Sequence, residues 1–200
     1  MPQVTLRDIT DDNWMQAARI EHAPEQAGFV AGPMEILALA YVGRHRNARA
    51  QAICAQDKLV GLLLVEDLAQ EPVCYHLHEL LVDRRHQGQG YGSRAMQLLM
   101  EELRREGKFP RVEVCVHRQN TNAIEFFQRN GFVLTDYIDP DHAWDRSMVY
   151  TLVPAQATMT RPPVGSGGAA GQASRRASAS WKAPGSAARI ASARAASARV

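Results

Sequence analysis

The sequence has no paired cysteines, no apolar run near membrane-spanning length and, from residue 154 onward, no acidic residue. Cys54, Cys74 and Cys115 are odd in number and form no Cys-x-x-Cys spacing. This excludes the disulfide framework of a small secreted domain and offers no zinc-ligand pattern. Cys54 and Cys115 lie in apolar, strand-like runs, which suits buried, reduced thiols. No N-terminal stretch resembles a signal peptide, and no segment approaches the ~20 apolar residues of a membrane helix. The expectation is a cytoplasmic, soluble chain with no metal and no membrane partner.

The missing acid in the tail changes what the total charge means. Seven of the 23 basic residues and none of the 21 acidic ones lie in 154–200. Residues 1–153 therefore hold 16 basic against 21 acidic groups, a formal charge of −5. The sequence pI near 8.5 misdescribes that part. An acidic domain attracts cations at long range, so a nucleic-acid partner would rest on the tail alone and none is expected. From Pro154 the composition collapses to Ala, Ser, Gly, Pro and Arg, without the apolar periodicity needed to offset ordering entropy. The reading is one domain, 1–153, followed by a basic, disordered, low-complexity tail, 154–200.

Along the domain, 4–9 alternates as a first strand, and Thr10 or Asp11 can cap a helix running to about Ile20. Met34–Tyr41 reads as a second helix. Ala50–Cys54 and Leu59–Val65 read as paired strands turned by Gln56-Asp57-Lys58, and Val73–Val82 as another strand. Tyr91–Arg105 carries an apolar stripe at Ala95, Leu98, Leu99 and Leu103 and stops at Gly107. A strand at Val112–Val116, a helix at Ala123–Asn130 ended by Gly131, and strands at Phe132–Ile138 and Ser147–Val153 complete the order. This predicts an α/β fold with one mixed sheet and helices on both faces. Its final strand would leave an edge on which a second copy could pair as a homodimer.

The chemistry is concentrated in Gln87-Gly88-Gln89-Gly90-Tyr91-Gly92, between a strand and a helix. Glycines there let the backbone turn tightly and leave its amides uncovered, at a helix N-terminus that favours an anion. The order strand, glycine loop, helix makes a phosphate or pyrophosphate site. Its spacing is Gln-x-x-Gly-x-Gly, neither the dinucleotide fingerprint nor a P-loop. About 30 residues later stands Asn120-Thr121-Asn122-Ala123-Ile124-Glu125-Phe126-Phe127-Gln128-Arg129-Asn130-Gly131-Phe132.

These two blocks resemble those of the GNAT superfamily of acetyl-CoA-dependent N-acetyltransferases, over about residues 4–153. The family's fold, a single mixed and mostly antiparallel sheet, is what the resemblance implies. It also implies acetyl-CoA as cosubstrate, its pyrophosphate on the amides of Gln87, Gly88, Gln89, Gly90, Tyr91 and Gly92 with Ser93 at the helix start. The backbone of Leu80, Leu81 and Val82 would pair with the pantetheine arm, and the amide near Leu80 would polarise the thioester carbonyl. Asn120 would bond the cofactor, and Phe126 and Phe127 would line the channel near sulfur. The family usually has Tyr at the position of Phe127, and Phe cannot donate a proton to the leaving thiolate. Tyr137, Tyr150 and His117 are the candidate replacements. A primary ammonium must lose a proton before it attacks, and Glu79 is the favoured base, with His76 next. Simple alternation puts His78 on the face of His76 and opposite to Glu79.

Asp12-Asn13-Trp14, Gln26-Ala27-Gly28-Phe29-Val30-Ala31 and the helix through Tyr41 resemble bacterial spermine/spermidine acetyltransferases. The resemblance implies a small cationic amine as acceptor, polyamine first, attacked directly in a ternary complex. Acetylation of an antibiotic or protein amine and a non-catalytic acetyl-CoA-binding module are the alternatives. Glu21, Glu25, Glu35, Glu66, Asp67, Asp139, Asp141 and Asp145 are candidate cleft charges, each also readable as an ordinary surface acid; Trp14 reads as a core residue. Deleting residues 154–200 is expected to leave the melting temperature and the activity nearly intact. A large loss of either in the truncated protein would show that the tail docks on the domain.

Overall fold

The structure, a computed structural model, describes residues 3–70, 73–139 and 142–152, so the expectation for the tail lies outside the described residues. Seven strands form one sheet in the order β1-β2-β3-β4-β5-β7-β6: β1 Val4–Asp8, β2 Arg49–Ala55, β3 Lys58–Leu68, β4 Cys74–Val82, β5 Arg111–His117, β6 Val133–Leu134 and β7 Asp145–Thr151. Every neighbouring pair is antiparallel except β4 and β5. The helices are α1 Trp14–Ala17, α2 Pro33–Val42, α3 Tyr91–Glu106 and α4 Thr121–Arg129.

Local chemistry accounts for the boundaries. Pro33 opens α2, where its missing N–H costs nothing and its φ is already helical. Gly107, at φ 63°, closes α3 by donating its N–H to Leu103 O. Asn120 caps α4, its Oδ1 accepting from the Ala123 amide at 3.2 Å. The β2–β3 hairpin turns at Gln56, which adopts φ 55°.

Both faces of the sheet are covered. On one, Leu63, Val65, Tyr75, Leu77 and Val114 pack against Met96, Leu99 and Leu103 of α3 and Phe127 of α4. On the other, Ala52, Leu62, Leu64 and Leu81 pack against Ala17, Ile20 and Ile36. Each buried leucine is worth about 1.5–3 kcal/mol, whereas exposed pairs such as Arg7–Asp57 are worth roughly 0.2–1 kcal/mol. The two apolar layers, not the surface ion pairs, therefore hold the sheet.

Two elements and one side chain differ from the sequence reading, and the final strand β7 lies between β5 and β6, so it is not the edge expected for pairing with a second copy. The first helix is a single turn, because the Asn13 side chain bonds backward, donating to Asp8 O at 2.8 Å and accepting from Thr10 N at 2.9 Å. Trp14 on that turn is 43 % exposed and is not a core residue. The strand expected over 132–138 shrinks to Val133–Leu134, both exposed: an edge strand that buries nothing has little to extend it.

Gly61 sits where β3 runs between β2 and β4. A Cβ there would lie 2.5 Å from Leu81 O and 3.0 Å from Ile53 Cδ1. Backbone cannot step aside as a side-chain tip can, so Gly61→Ala should cost about 1–3 kcal/mol in urea unfolding. Gly32→Ala, which meets nothing within 4 Å, is the control and should be close to neutral.

Candidate active site at the parting of two strands

Strands β4 and β5 pair only at Tyr75↔Val112, His76↔Glu113 and Leu77↔Val114. Beyond Leu77 they separate, while β4 stays paired with β3 as far as Val82↔Gly61. The parting coincides with a bulge. Leu64 faces Glu79 and Val65 faces Leu77, so His78 is one residue too many on β4. The extra residue corrects the face assignment. Glu79 pairs with Leu64, on the face covered by α1 and α2, and His78 bonds Glu66 on that same face. Glu79 is thus on the side of His76 and His78, not opposite to them, because alternation slips by one at a bulge.

The gap is a cavity of about 190 Å³. Leu77, His78, Glu79 and Leu80 line it from β4, and Val114, Cys115, Val116 and His117 from β5. Asn120, Asn122, Ala123, Phe126 and Phe127 enter from the α4 side, with Gln26, Phe29 and Val30 from the segment before α2. Glu79 Oε2 accepts the Ala31 amide at 3.3 Å, which ties that segment to the bulge. Phe29 stacks at a tilt on His117, with ring centroids 5.4 Å apart. Leu80 lies on the opposite face and packs into the α3 layer. His76 is 8 % exposed and set behind His78, their rings 4.4 Å apart and edge to face.

Below the cavity runs the glycine loop. Gly88 and Gly90 adopt φ 72° and 82°, a region that disfavours side chains, and a Cβ on Gly88 would point into open space. Among the described residues no backbone or side-chain acceptor takes the amides of Gly88, Gln89 and Gly90. With the first turn of α3, whose amides have no intrahelical acceptors, they form an uncovered set of donors. Gly92 brings α3 close to α4, its Cβ position lying 3.4 Å from Phe126 Cε2. Ser93 Oγ accepts from Asn130 Nδ2 at 3.3 Å and joins the same two helices. These residues suit the pyrophosphate of acetyl-CoA by donor geometry.

Two side chains pin the loop. Gln87 Nε2 donates to Val82 O at 2.9 Å and to Gln26 Oε1 at 2.8 Å, so this glutamine fastens the loop to β4 and to the covering segment. Asp83 is 1 % exposed and accepts from the Arg85 amide, from the Arg85 guanidinium through both carboxylate oxygens, and from the Glu21 amide. Its hydrogen bonds from Arg85 hold the carboxyl well below the usual carboxylate range, against a smaller opposing effect of burial. Sequence reading passed over Asp83; the only signal was a lone acid ending an apolar strand.

A row of buried polar groups crosses the face beneath Glu79. Glu66 bonds Arg46 through both oxygens, and His78 Nε2 lies 3.0 Å from Glu66 Oε2. Burial pushes the Glu66 carboxyl up, but the bonds from His78 and Arg46 outweigh it and leave it below the ordinary range. Glu113, beside His76 in register, accepts from Ser147 Oγ at 2.6 Å. Glu66 is therefore no cleft charge. Asp67 is likewise taken, by Arg49 and Lys108, and Glu21 pairs with Arg84. Asp145 stands opposite His117 in register; burial pushes its carboxyl up, His117 and His142 pull it down, and Asp139 pushes it up. Asp141 lies outside the described residues.

Phe127 is 7 % exposed and packs edge to face on Phe126 and Phe132. Of the three candidates to replace its missing hydroxyl, only His117 lines the cavity. Tyr150 is bonded by Arg104 on the far side of Phe132. His117 Nδ1 accepts the Gln119 amide at 3.2 Å, which puts the hydrogen of the neutral ring on Nε2. Among the described residues no group of three or more His, Cys, Asp or Glu could hold a metal, and no helix is long and apolar enough to cross a membrane.

Asp83 binds fewer protons folded than unfolded, so its contribution is present above the unfolded carboxyl pKa near 3.9 and is lost as pH falls below it. Asp83→Asn should lower the Tm at pH 7, flatten its decline below about pH 5 and weaken coenzyme A binding by about tenfold or more. Calorimetry across pH and titration with coenzyme A check both; unchanged coenzyme A affinity would detach Asp83 from the loop's function.

No curated protein matches the chain as a sequence relative. Solved structures do match its fold. An acetyltransferase from Thermus thermophilus superposes with a TM-score of 0.61 at 23% identity, covering 76% of this chain and 100% of that one. Spermidine N-acetyltransferase from Vibrio cholerae, solved with CoA and spermine, gives 0.58 at 15% identity over 75% and 96%. The ribosomal-protein-S18-alanine N-acetyltransferase of Escherichia coli gives 0.57 at 17% over 80% and 100%. At these identities the likeness is one of fold. The family assignment comes from the sequence itself, whose residues 10–132 match the family model described as Acetyltransferase (GNAT) family. With the parted strands and the glycine loop in place, the chain belongs to the GNAT family of acetyl-CoA-dependent N-acetyltransferases.

Proposed function

We propose that this chain transfers the acetyl group of acetyl-CoA to a primary amine of a small cationic acceptor, a polyamine first, in a ternary complex. The observation that carries the reading is the gap between β4 and β5, with a carboxylate, Glu79, on its wall and uncovered loop amides at its foot. The acetyl group moves from thioester sulfur to amine nitrogen, giving an amide, a free thiol and a proton.

In this reading the amides of Gln87–Gly92 and the α3 start bind the pyrophosphate, and Ser93 braces that turn. The edge of β4 from Leu80 to Val82, released from β5, offers its backbone to the pantetheine arm, and the Leu80 amide aims at the carbonyl oxygen. Phe126 and Phe127 close the apolar side, and Asn120 stands at the mouth beside α4. Glu79 takes the ammonium proton. A polyamine suits the −5 balance of residues 1–153 and the Glu79 carboxylate on the cavity wall. The spermine seen with the Vibrio cholerae enzyme makes it the first acceptor to try.

Following free thiol with acetyl-CoA and a panel of spermidine, spermine, aminoglycosides and peptide amines tests the activity. Release with spermidine above the others is expected; none across the panel would leave an acetyl-CoA-binding module. Glu79→Gln should slow turnover roughly 100-fold near neutral pH and less at high pH, where the amine arrives deprotonated. An unchanged pH profile would remove Glu79 as the base.

A further inference from the structure

We propose that His78 is a second proton carrier of this site, receiving the acceptor's proton from Glu79, and that the buried Glu66, held in turn by Arg46, fixes its ring for that task. The proposal rests on the acetyl-transfer reading and adds where the proton goes after the carboxylate. His78 and Glu79 are the two residues that the bulge turns to one face, and both line the cavity. Behind His78, Nε2 meets Glu66 Oε2 at 3.0 Å, and Glu66 is 2 % exposed with Arg46 on both of its oxygens. An ionised carboxylate only accepts, so in the neutral ring Nε2 carries the hydrogen and Nδ1 holds the lone pair. Among the described residues no protein group bonds that Nδ1.

The chemistry needs such a partner. A carboxylate inside the gap can reach the ammonium, but it is a weak resting place for the proton. Imidazole as a class is a stronger base than carboxylate, so a ring beside Glu79 is a chemically apt next holder of the proton. The N–H bond of the ammonium breaks as an O–H bond forms at Glu79. That bond breaks in turn as N–H forms at His78 Nδ1, and the imidazolium then gives the proton to water. The resulting cation is faced by Glu66 from β3, by His76 and Glu79 from β4, by Arg46 beyond Glu66 with His45 bonded to it, and by Cys115 and His117 across the gap. The carboxylate bonded to Nε2 fixes the ring's orientation; Glu66 and Arg46 are positioning residues.

His78→Gln tests this, since glutamine keeps a donor for Glu66 but cannot carry a proton. With the most active amine found, kcat should fall roughly 100-fold, KM for acetyl-CoA should stay within about twofold, and the limb of the pH–rate profile set by an imidazole should vanish. His78→Ala should regain rate when imidazole is added to the buffer. Glu66→Gln, checked for folding by coenzyme A binding, should also lose kcat without losing acetyl-CoA affinity. A His78→Gln enzyme with the parent's turnover and pH profile overturns the relay and leaves acetyl transfer standing. Lost turnover in His78→Ala that imidazole does not restore also overturns it, making His78 a packing residue. A parent that releases no thiol with any amine overturns the acetyl-transfer reading and the relay together.

Discussion

One extra residue on β4 organises this molecule. In a regular ladder Leu64 and Val65 would face consecutive residues of β4, and β4 would stay alongside β5. The bulge at His78 bends β4 where its pairing with β5 ends at Leu77↔Val114, and from there the strands diverge. Their divergence opens the cavity and frees the β4 edge toward Val82, and the bulge turns the side chains of His78 and Glu79 the same way. A parallel pair suits this better than a hairpin would. No turn ties β4 to β5, and their crossover runs through the glycine loop and α3, so the loop is delivered to the foot of the gap by the same connection.

The loop needs a rigid base if its amides are to wait for an anion. Glycines alone would give a flexible segment, since they lose the most freedom on ordering. Asp83 and Gln87 supply the restraint from either side of the Arg84–His86 turn: one gathers the Arg85 and Glu21 amides, the other grips Val82 O and Gln26. Both also reach the segment that covers the acceptor face. Loop and cover are therefore one hydrogen-bonded unit.

What could be read from the sequence follows interaction range. Periodicity places α3, α4 and most strands, and an apolar run behind Gly32-Pro33 places α2, within a residue or two, because stripes, caps and turn residues are local. The glycine loop and the block at Asn120 were legible for the same reason. The bulge was not: a single inserted residue leaves alternation intact on both sides and shows only against a partner strand. That hid the shared face of His78 and Glu79. Glu66 reads as a candidate cleft charge or a surface acid, not as a buried partner, because Arg46 and His78 stand 20 and 12 residues away in sequence. Trp14 and the shortened β6 are not legible in the sequence because apolar character says nothing of whether a neighbour exists to cover it.

The buried polar row is hard to explain by stability. Taking the Glu66 carboxylate out of water costs several kcal/mol, and its attraction to the partly exposed Arg46 seldom returns more than that; apolar side chains of equal volume would often serve the fold as well or better. The surrounding sheet shows the alternative, since Leu62 and Leu64 occupy the same face one strand over with no polar atoms to satisfy. Charge is retained where the bulge meets the cavity and gives way to leucine two residues toward the loop, at Leu81. That localisation argues for proton handling over packing, because a packing role would not need to follow the edge of the gap.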